Sequence, residues 1–266
     1  MNGNKDQGIV LKERYNIIGY PTTIYINADG SEIDRIFGWD DDVEKYYQTI
    51  VDYTSGKNTL HSFLAEVNQH PDNTIAKYRL AKGYVDRGLH ERAKHVFQQF
   101  AALDPHNQSG HLPEVKGYLA VYHLYDTGDD QPLRSVLKQL KDDNILDLCY
   151  YHLLRYHKRN NHHAQVLDYY PQYISRFPDR AGLMNDYAWY IYKNRLKENY
   201  QEGISLAAKA VQLEPDAANI WDTLAWLEFE AGIDSLAIAH MTIAVEKSNN
   251  RDDYCQNLQK MLSAAQ

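Results

Sequence analysis

Residues 80–105 read LAKGYVDRGLHERAKHVFQQFAALDP, and this stretch decides the fold. Leu80, Ala81, Tyr84, Gly88, Ala93, Phe97 and Pro105 are separated by 1, 3, 4, 5, 4 and 8 positions. Apolar residues three and four apart share one face of a helix. A glycine between two such runs supplies a left-handed turn, and a proline stops the second run. Small Ala81 and Ala93 let the two helices approach closely, while Leu80, Tyr84 and Phe97 fill the space between neighbouring pairs. Leu224, Ala225, Gly232 and Ala237 fall at the same relative positions as Leu80, Ala81, Gly88 and Ala93, with Trp221 and Ala244 flanking them, so Trp221 and Leu224 are expected to be bulky fillers as well.

These spacings resemble the tetratricopeptide repeat, a helix–turn–helix unit of about 34 residues. Laid along the chain, that frame gives five units at 74–107, 113–146, 147–180, 181–217 and 218–251. Gln108 to Leu112 is an insertion, and the fourth unit is longer around Asn194 to Asn199. The second and third units are degenerate, supported by Leu119-Ala120, Leu153-Leu154 and Pro178. Residues 57–73 read as a connecting helix. Residues 252–266 read as a capping helix, which repeat arrays need over their last apolar face.

The front of the chain differs. Residues 5–15 read as a short helix, and Thr23 to Ile26 as a buried β-branched and aromatic strand. Asn27-Ala28-Asp29-Gly30 has turn chemistry. Ile33 to Phe37 reads as a second strand, closed by Gly38-Trp39. Asp40, Asp41 and Asp42 suit a helix N-terminus, and Val43, Tyr46, Tyr47, Ile50 and Val51 recur at helical spacing up to Tyr53. This order, with Tyr15, Gly19, Tyr20, Pro21, Thr22, Asp29, Gly30 and Gly38, resembles the C-terminal half of a thioredoxin fold over residues 1–56. The resemblance implies that Pro21 is a cis-proline flanked by Tyr20 and Thr22. The departure is chemical: thiol–disulfide exchange needs a thiolate and a resolving thiol, and residues 1–148 hold no cysteine. The expected fold class is therefore mainly α, an α-solenoid of tetratricopeptide type preceded by a partial thioredoxin-like α/β segment.

Composition limits the function. The 266 residues carry a net charge of −8, which argues against general affinity for nucleic-acid phosphates. No apolar run is long enough to cross a membrane. No secretory leader opens the chain, so as given it is expected in the cytoplasm. Cys149 and Cys255 form no CxxC or zinc pattern and are expected to be packing residues.

Eleven of the twelve histidines lie between His61 and His163. A metal-binding or pH-responsive middle is one reading. His152 and His157 are five apart and His162 and His163 adjacent, not the i, i+4 spacing that puts two ligands on one face. Solvated and turn histidines are the alternative, and no metal or cofactor is expected.

In tetratricopeptide proteins the first helix of each unit lines a concave groove. Carried onto this frame, the resemblance marks Tyr78, Lys82, Tyr151, Arg155, Asn185, Trp189, Tyr192, Asn219, Asp222 and Trp226. Asn185 and Asn219 are candidates to hydrogen-bond an extended peptide. Tyr78 and Lys82 stand where the chaperone-binding subclass has a Lys and an Asn, which removes support for that subclass. The expected function is a non-catalytic scaffold for protein or peptide partners. The alternative is a fragment of a thioredoxin-family oxidoreductase, exported, whose CxxC half lies upstream of Met1. A third reading has the array as an oligomerisation module through exposed aromatic surface.

Overall fold

The computed structural model describes residues 7–38 and 41–264. Trp39 and Asp40, and residues 5 and 6 of the first helix, lie outside the described residues. The chain divides into two compact units, Met1–Asn160 and Asn161–Gln266.

The first unit opens with α1 (Gln7–Arg14), β1 (Thr22–Ile26), β2 (Glu32–Phe37) and α2 (Val43–Thr54). β1 and β2 pair antiparallel, Ile24 opposite Arg35. The turn between them has Gly30 at φ +81, and Asp29 Oδ1 accepts from the Ser31 N–H at 2.8 Å. The Tyr20–Pro21 peptide bond is cis. Asp42 caps α2 by accepting from the Lys45 N–H at 3.0 Å. The expectation of a buried first strand is corrected here: β1 is half-buried and Ile26 exposed, because a sheet of two strands leaves much of each face and edge uncovered. Nor is β2 an apolar strand at its centre. Asp34 and Arg35 are both buried there, held by ion pairs described below. α2 has no buried residue at all.

Helical hairpins follow. α3 (Leu60–Gln69) starts on a reciprocal cap between Thr59 and Ser62. α4 (Thr74–Val85) and α5 (His90–Leu103) pack through Ala81 and Ala93, both wholly buried. Gly88 turns between them at φ +65, and α5 ends two residues before Pro105. Leu80, Phe97 and Phe100 extend this core onto Val115 and Tyr118 of α6 (Leu112–Thr127). Truncating a ring buried like Phe97 costs about 3–5 kcal/mol. α7 (Gln131–Gln139) and α8 (Asp143–Arg159) complete the unit.

The second unit holds α9 (His163–Arg176), α10 (Ala181–Lys193), α11 (Tyr200–Leu213), α12 (Ala218–Glu230), α13 (Asp234–Lys247) and α14 (Asp252–Ala264). Ala225, Ala237, Met241, Ala244 and Met261 form one core there, and Gly232 turns from α12 to α13 at φ +78. Trp221 packs against this core with part of its ring exposed. It is half-buried, and its indole N–H donates to the Pro215 carbonyl at 2.9 Å, so one ring edge stays at the surface.

Candidate interaction surface

Within the second unit, Asn185, Trp189 and Tyr192 are spaced 4 and 3 along α10, and Asn219, Asp222 and Trp226 are spaced 3 and 4 along α12. Each trio therefore occupies one helix face. The rings meet across the two helices. Trp189 and Tyr192 lie 5.0 Å apart between centroids. Tyr192 stacks on Trp226 at 5.7 Å and 25°, and Trp226 meets Phe229 edge-on at 6.1 Å. Trp189 is exposed, and Tyr192, Trp226 and Phe229 are half-buried. The result is a continuous aromatic shelf, a surface type that binds polypeptide with large area and little loss of side-chain freedom.

The polar members lie deeper. Asp222 is only 9% exposed, and its Oδ1 accepts from Asn257 Nδ2 of α14 at 3.0 Å. Burial raises its pKa, and the Asn257 bond offsets only part of that. Tyr192 is pushed up to about 12, by burial first and then by the negative charges of Glu230 and Asp222. Asn185 is 8% exposed, so its amide sits beneath the shelf; its Oδ1 has no hydrogen-bond partner among the described residues. Asn219 is exposed. Asn257 and Phe229 were not among the sequence candidates; Phe229, three residues beyond Trp226, was within reach of the same face argument.

The candidates of the first unit have partners of their own. Tyr78 donates to Glu114 Oε2 at 2.5 Å, and Lys82 donates to Glu114 Oε1 and to Tyr118, each at 2.8 Å. Tyr78 also stacks on His111 at 3.9 Å. Both residues are thus tied to α6 through Glu114, which no motif marked, and both also line the cleft described next. Tyr151 is exposed, and Arg155 donates to its hydroxyl at 2.9 Å. In the Tyr20–Pro21–Thr22 loop, Thr22 Oγ1 donates to the Gly19 carbonyl at 2.7 Å and Tyr20 is exposed.

A cleft of about 530 Å3 opens between the N-terminal segment and α3–α4, with Arg79, Lys82, Asp86 and Arg87 on its walls. Much of its charge is internally paired: Arg87 binds Asp34 and Glu32, and Lys82 binds Glu114. Asp86 stands apart, its pKa raised by burial against the pull of Lys82 and Arg87.

The expectation of solvated histidines fails at two positions. His157 is buried, with Nε2 3.2 Å from Asp130 Oδ2. Burial pushes half-buried His152 down to about 4, so its imidazole is neutral at physiological pH. Cys149 is fully buried and its thiol is pushed up to about 12, the state of an inert packing residue. Among the described residues no cluster of three His, Cys, Asp or Glu is arranged to hold a metal ion, and no helix is long and apolar enough to cross a membrane.

No family model matches the chain, and no curated protein does. Solved structures match. The crystal structure of YrrB, a TPR protein with an unusual peptide-binding site, is 12% identical, covers 76% of this chain and 100% of its own, and superposes with a TM-score of 0.55. MamA 41-end from Desulfovibrio magneticus RS-1 is 17% identical over 67% of this chain and 97% of its own, with a TM-score of 0.48. The likeness to YrrB is one of fold: the helical region is an array of tetratricopeptide type.

Proposed function

We infer that the chain is a non-catalytic scaffold that binds a peptide or an extended segment of a partner protein on the α10–α12 face. The aromatic shelf of Trp189, Tyr192, Trp226 and Phe229 carries this reading. Asp222 and Glu230 act on Tyr192 electrostatically against Arg195, and residues 181–266 hold 7 basic and 12 acidic residues, so a cationic segment suits the face better than an acidic one. YrrB is described by its peptide-binding site, and sharing its fold makes the same use of this array reasonable. The frame of 74–107, 113–146, 147–180, 181–217 and 218–251 goes with this reading. The pairs α4/α5, α10/α11 and α12/α13 lie inside the first, fourth and fifth of these units and support it.

A peptide array tests the inference. The full chain is expected to retain a subset of peptides combining Lys or Arg with apolar residues. Trp189→Ala changes an exposed side chain, and it is expected to weaken those spots at least tenfold with the helical circular dichroism unchanged. Equal retention by both proteins would remove the shelf from the account.

A second reading rests on the order α1, β1, β2, α2, with its Asp-Gly turn and half-covered strands: the segment is the C-terminal half of a thioredoxin-like domain. It requires an upstream reading frame that supplies further strands and a CxxC. A stop codon immediately upstream of Met1 would exclude it.

A further inference from the structure

The walls of the 530 Å3 cleft run from Asp34 to Arg87, all within the first unit. Most of its charged groups are satisfied from inside the protein. Arg35 and Arg87 pair with Glu32 and Asp34, and Lys82 pairs with Glu114. Asp52 accepts from the side-chain amides of Gln48 and Asn58 at 2.9 and 2.7 Å. Two charged groups on the wall lack such a partner among the described residues. The Asp86 carboxylate is half-buried yet takes no hydrogen bond and no ion pair, and burial raises its pKa against the pull of Lys82 and Arg87. Arg79 is exposed and meets no carboxylate. Its Nη1 reaches Asn58 Oδ1 only at 3.5 Å, and its guanidinium lies 5.7 Å from the centre of the Phe63 ring.

Arg79 lies on α4, and Asp86 closes the C-terminal end of that helix seven positions on. Two helical turns put them on one face, about 10.5 Å apart along the axis. Gly83 stands between them on the same face. A Cβ there would come within 2.7 Å of Leu60 Cδ1, so Leu60 rests on the helix backbone. With Phe63 it makes the floor between the two charges apolar. Charge then selects the ligand. A simple anion would satisfy Arg79 and leave Asp86 bare, and a simple cation would do the reverse. One ligand with both charges, set well apart, answers both groups. A free amino acid holds its charges too close together, whereas an extended peptide of three residues spans about 10 Å.

We propose that this cleft binds a short peptide with free termini, about three residues long, its carboxylate on the Arg79 guanidinium and its ammonium on the Asp86 carboxylate. Both contacts are charge-assisted hydrogen bonds, the stronger kind. The middle side chain lies over Leu60 and Phe63. The cations that act on Asp86 are Lys82, Arg87 and Arg35. Glu114, Asp34 and Glu32 neutralise them, so they offer the incoming ammonium little repulsion.

Isothermal titration calorimetry of the full chain with alanyl-phenylalanyl-alanine, up to about 5 mM peptide, tests this. The free tripeptide is expected to bind. Acetylating its N-terminus or amidating its C-terminus is expected to weaken binding about tenfold or more in each case. Arg79→Gln should weaken the free peptide to the level of the amidated one and leave the amidated one unchanged. Asp86→Asn should do the same with respect to the acetylated one. Should either variant unfold by circular dichroism, the capped peptides on the wild type decide alone. No binding of the free peptide, binding that ignores either cap, or a folded variant that keeps its cap dependence would each overturn the proposal. Trp189→Ala is expected to bind the tripeptide as the wild type does. Loss in that variant would move the peptide to the α10–α12 face and overturn the cleft, so the two sites stand or fall separately.

Discussion

Arg87 reaches 53 positions back along the chain to donate from Nη2 to Asp34 Oδ1 at 2.7 Å, with both residues buried. The other carboxylate oxygen of Asp34 accepts from the Leu60 N–H, the first residue of α3, at 2.5 Å. The same guanidinium bonds Glu32 at 2.8 Å, and Arg35 adds a bidentate pair to Glu32 at 2.9 and 2.6 Å. Asn16 Nδ2 donates to the Arg87 carbonyl at 2.6 Å. One strand of the hairpin, the start of α3 and the turn after α4 are thus locked in a single network, which attaches the N-terminal segment to the helical hairpins.

Removing one partner of a buried ion pair strands the other charge. Asp34→Ala or Arg87→Ala is therefore expected to cost about 3–5 kcal/mol. The double variant should cost less than the sum of the two, because it leaves neither charge stranded. Chemical denaturation of the full chain measures both. Additive losses would mean that the pair is not coupled.

Two acids in this region respond to pH with opposite sign. Burial alone would raise Glu32, yet the hydrogen bond from Arg35 and the charges of Arg87 and Arg35 hold its pKa below the ordinary value of 4.5. Its contribution to stability is present above the unfolded value and is lost as pH falls through the folded one. Asp86 is raised, by burial above all, so its ionised form costs stability at neutral pH. Asp86→Asn is expected to raise the denaturation midpoint at pH 7, and the gain should vanish below the carboxylate range. A gain that persists in acid would assign the effect to something other than charge.

Gly88 and Gly232 both adopt positive φ, but their surroundings differ. A Cβ on Gly88 would come within 2.9 Å of Ile18 Cγ2, whereas one on Gly232 meets nothing within 4 Å. Gly232→Ala is expected to cost about 1–2 kcal/mol, the backbone penalty alone. Gly88→Ala should cost more, and Ile18→Ala should recover the excess. Thermal melts of the three variants and the double Ile18→Ala/Gly88→Ala separate the terms, and equal costs at the two glycines would mean that Ile18 does not rest on the α4–α5 turn.

The helical array was legible because its signals are local. Ala81, Ala93, Ala225 and Ala237 mark the close contacts within hairpins, and all four are wholly buried; Gly88 and Gly232 mark turns by the one property that only glycine supplies without strain. The aromatic shelf was half legible. The resemblance marked Trp189, Tyr192 and Trp226, but not the depth of Asn185 or the bond from Asn257 to Asp222 across 35 positions. Nothing local to Tyr78 and Lys82 reveals Glu114 opposite them. The Asp34–Arg87 network was missed for the same reason. A buried charge is recognisable only with its partner, and here the partners come from separate elements.

The central claim, that the α10–α12 face is where a partner binds, is tested most directly by hydrogen–deuterium exchange of the full chain with and without a peptide selected on the array. The account predicts added protection confined to residues 185–192 and 219–226, and its loss in Trp189→Ala. Protection that falls elsewhere, or that survives Trp189→Ala unchanged, would contradict it.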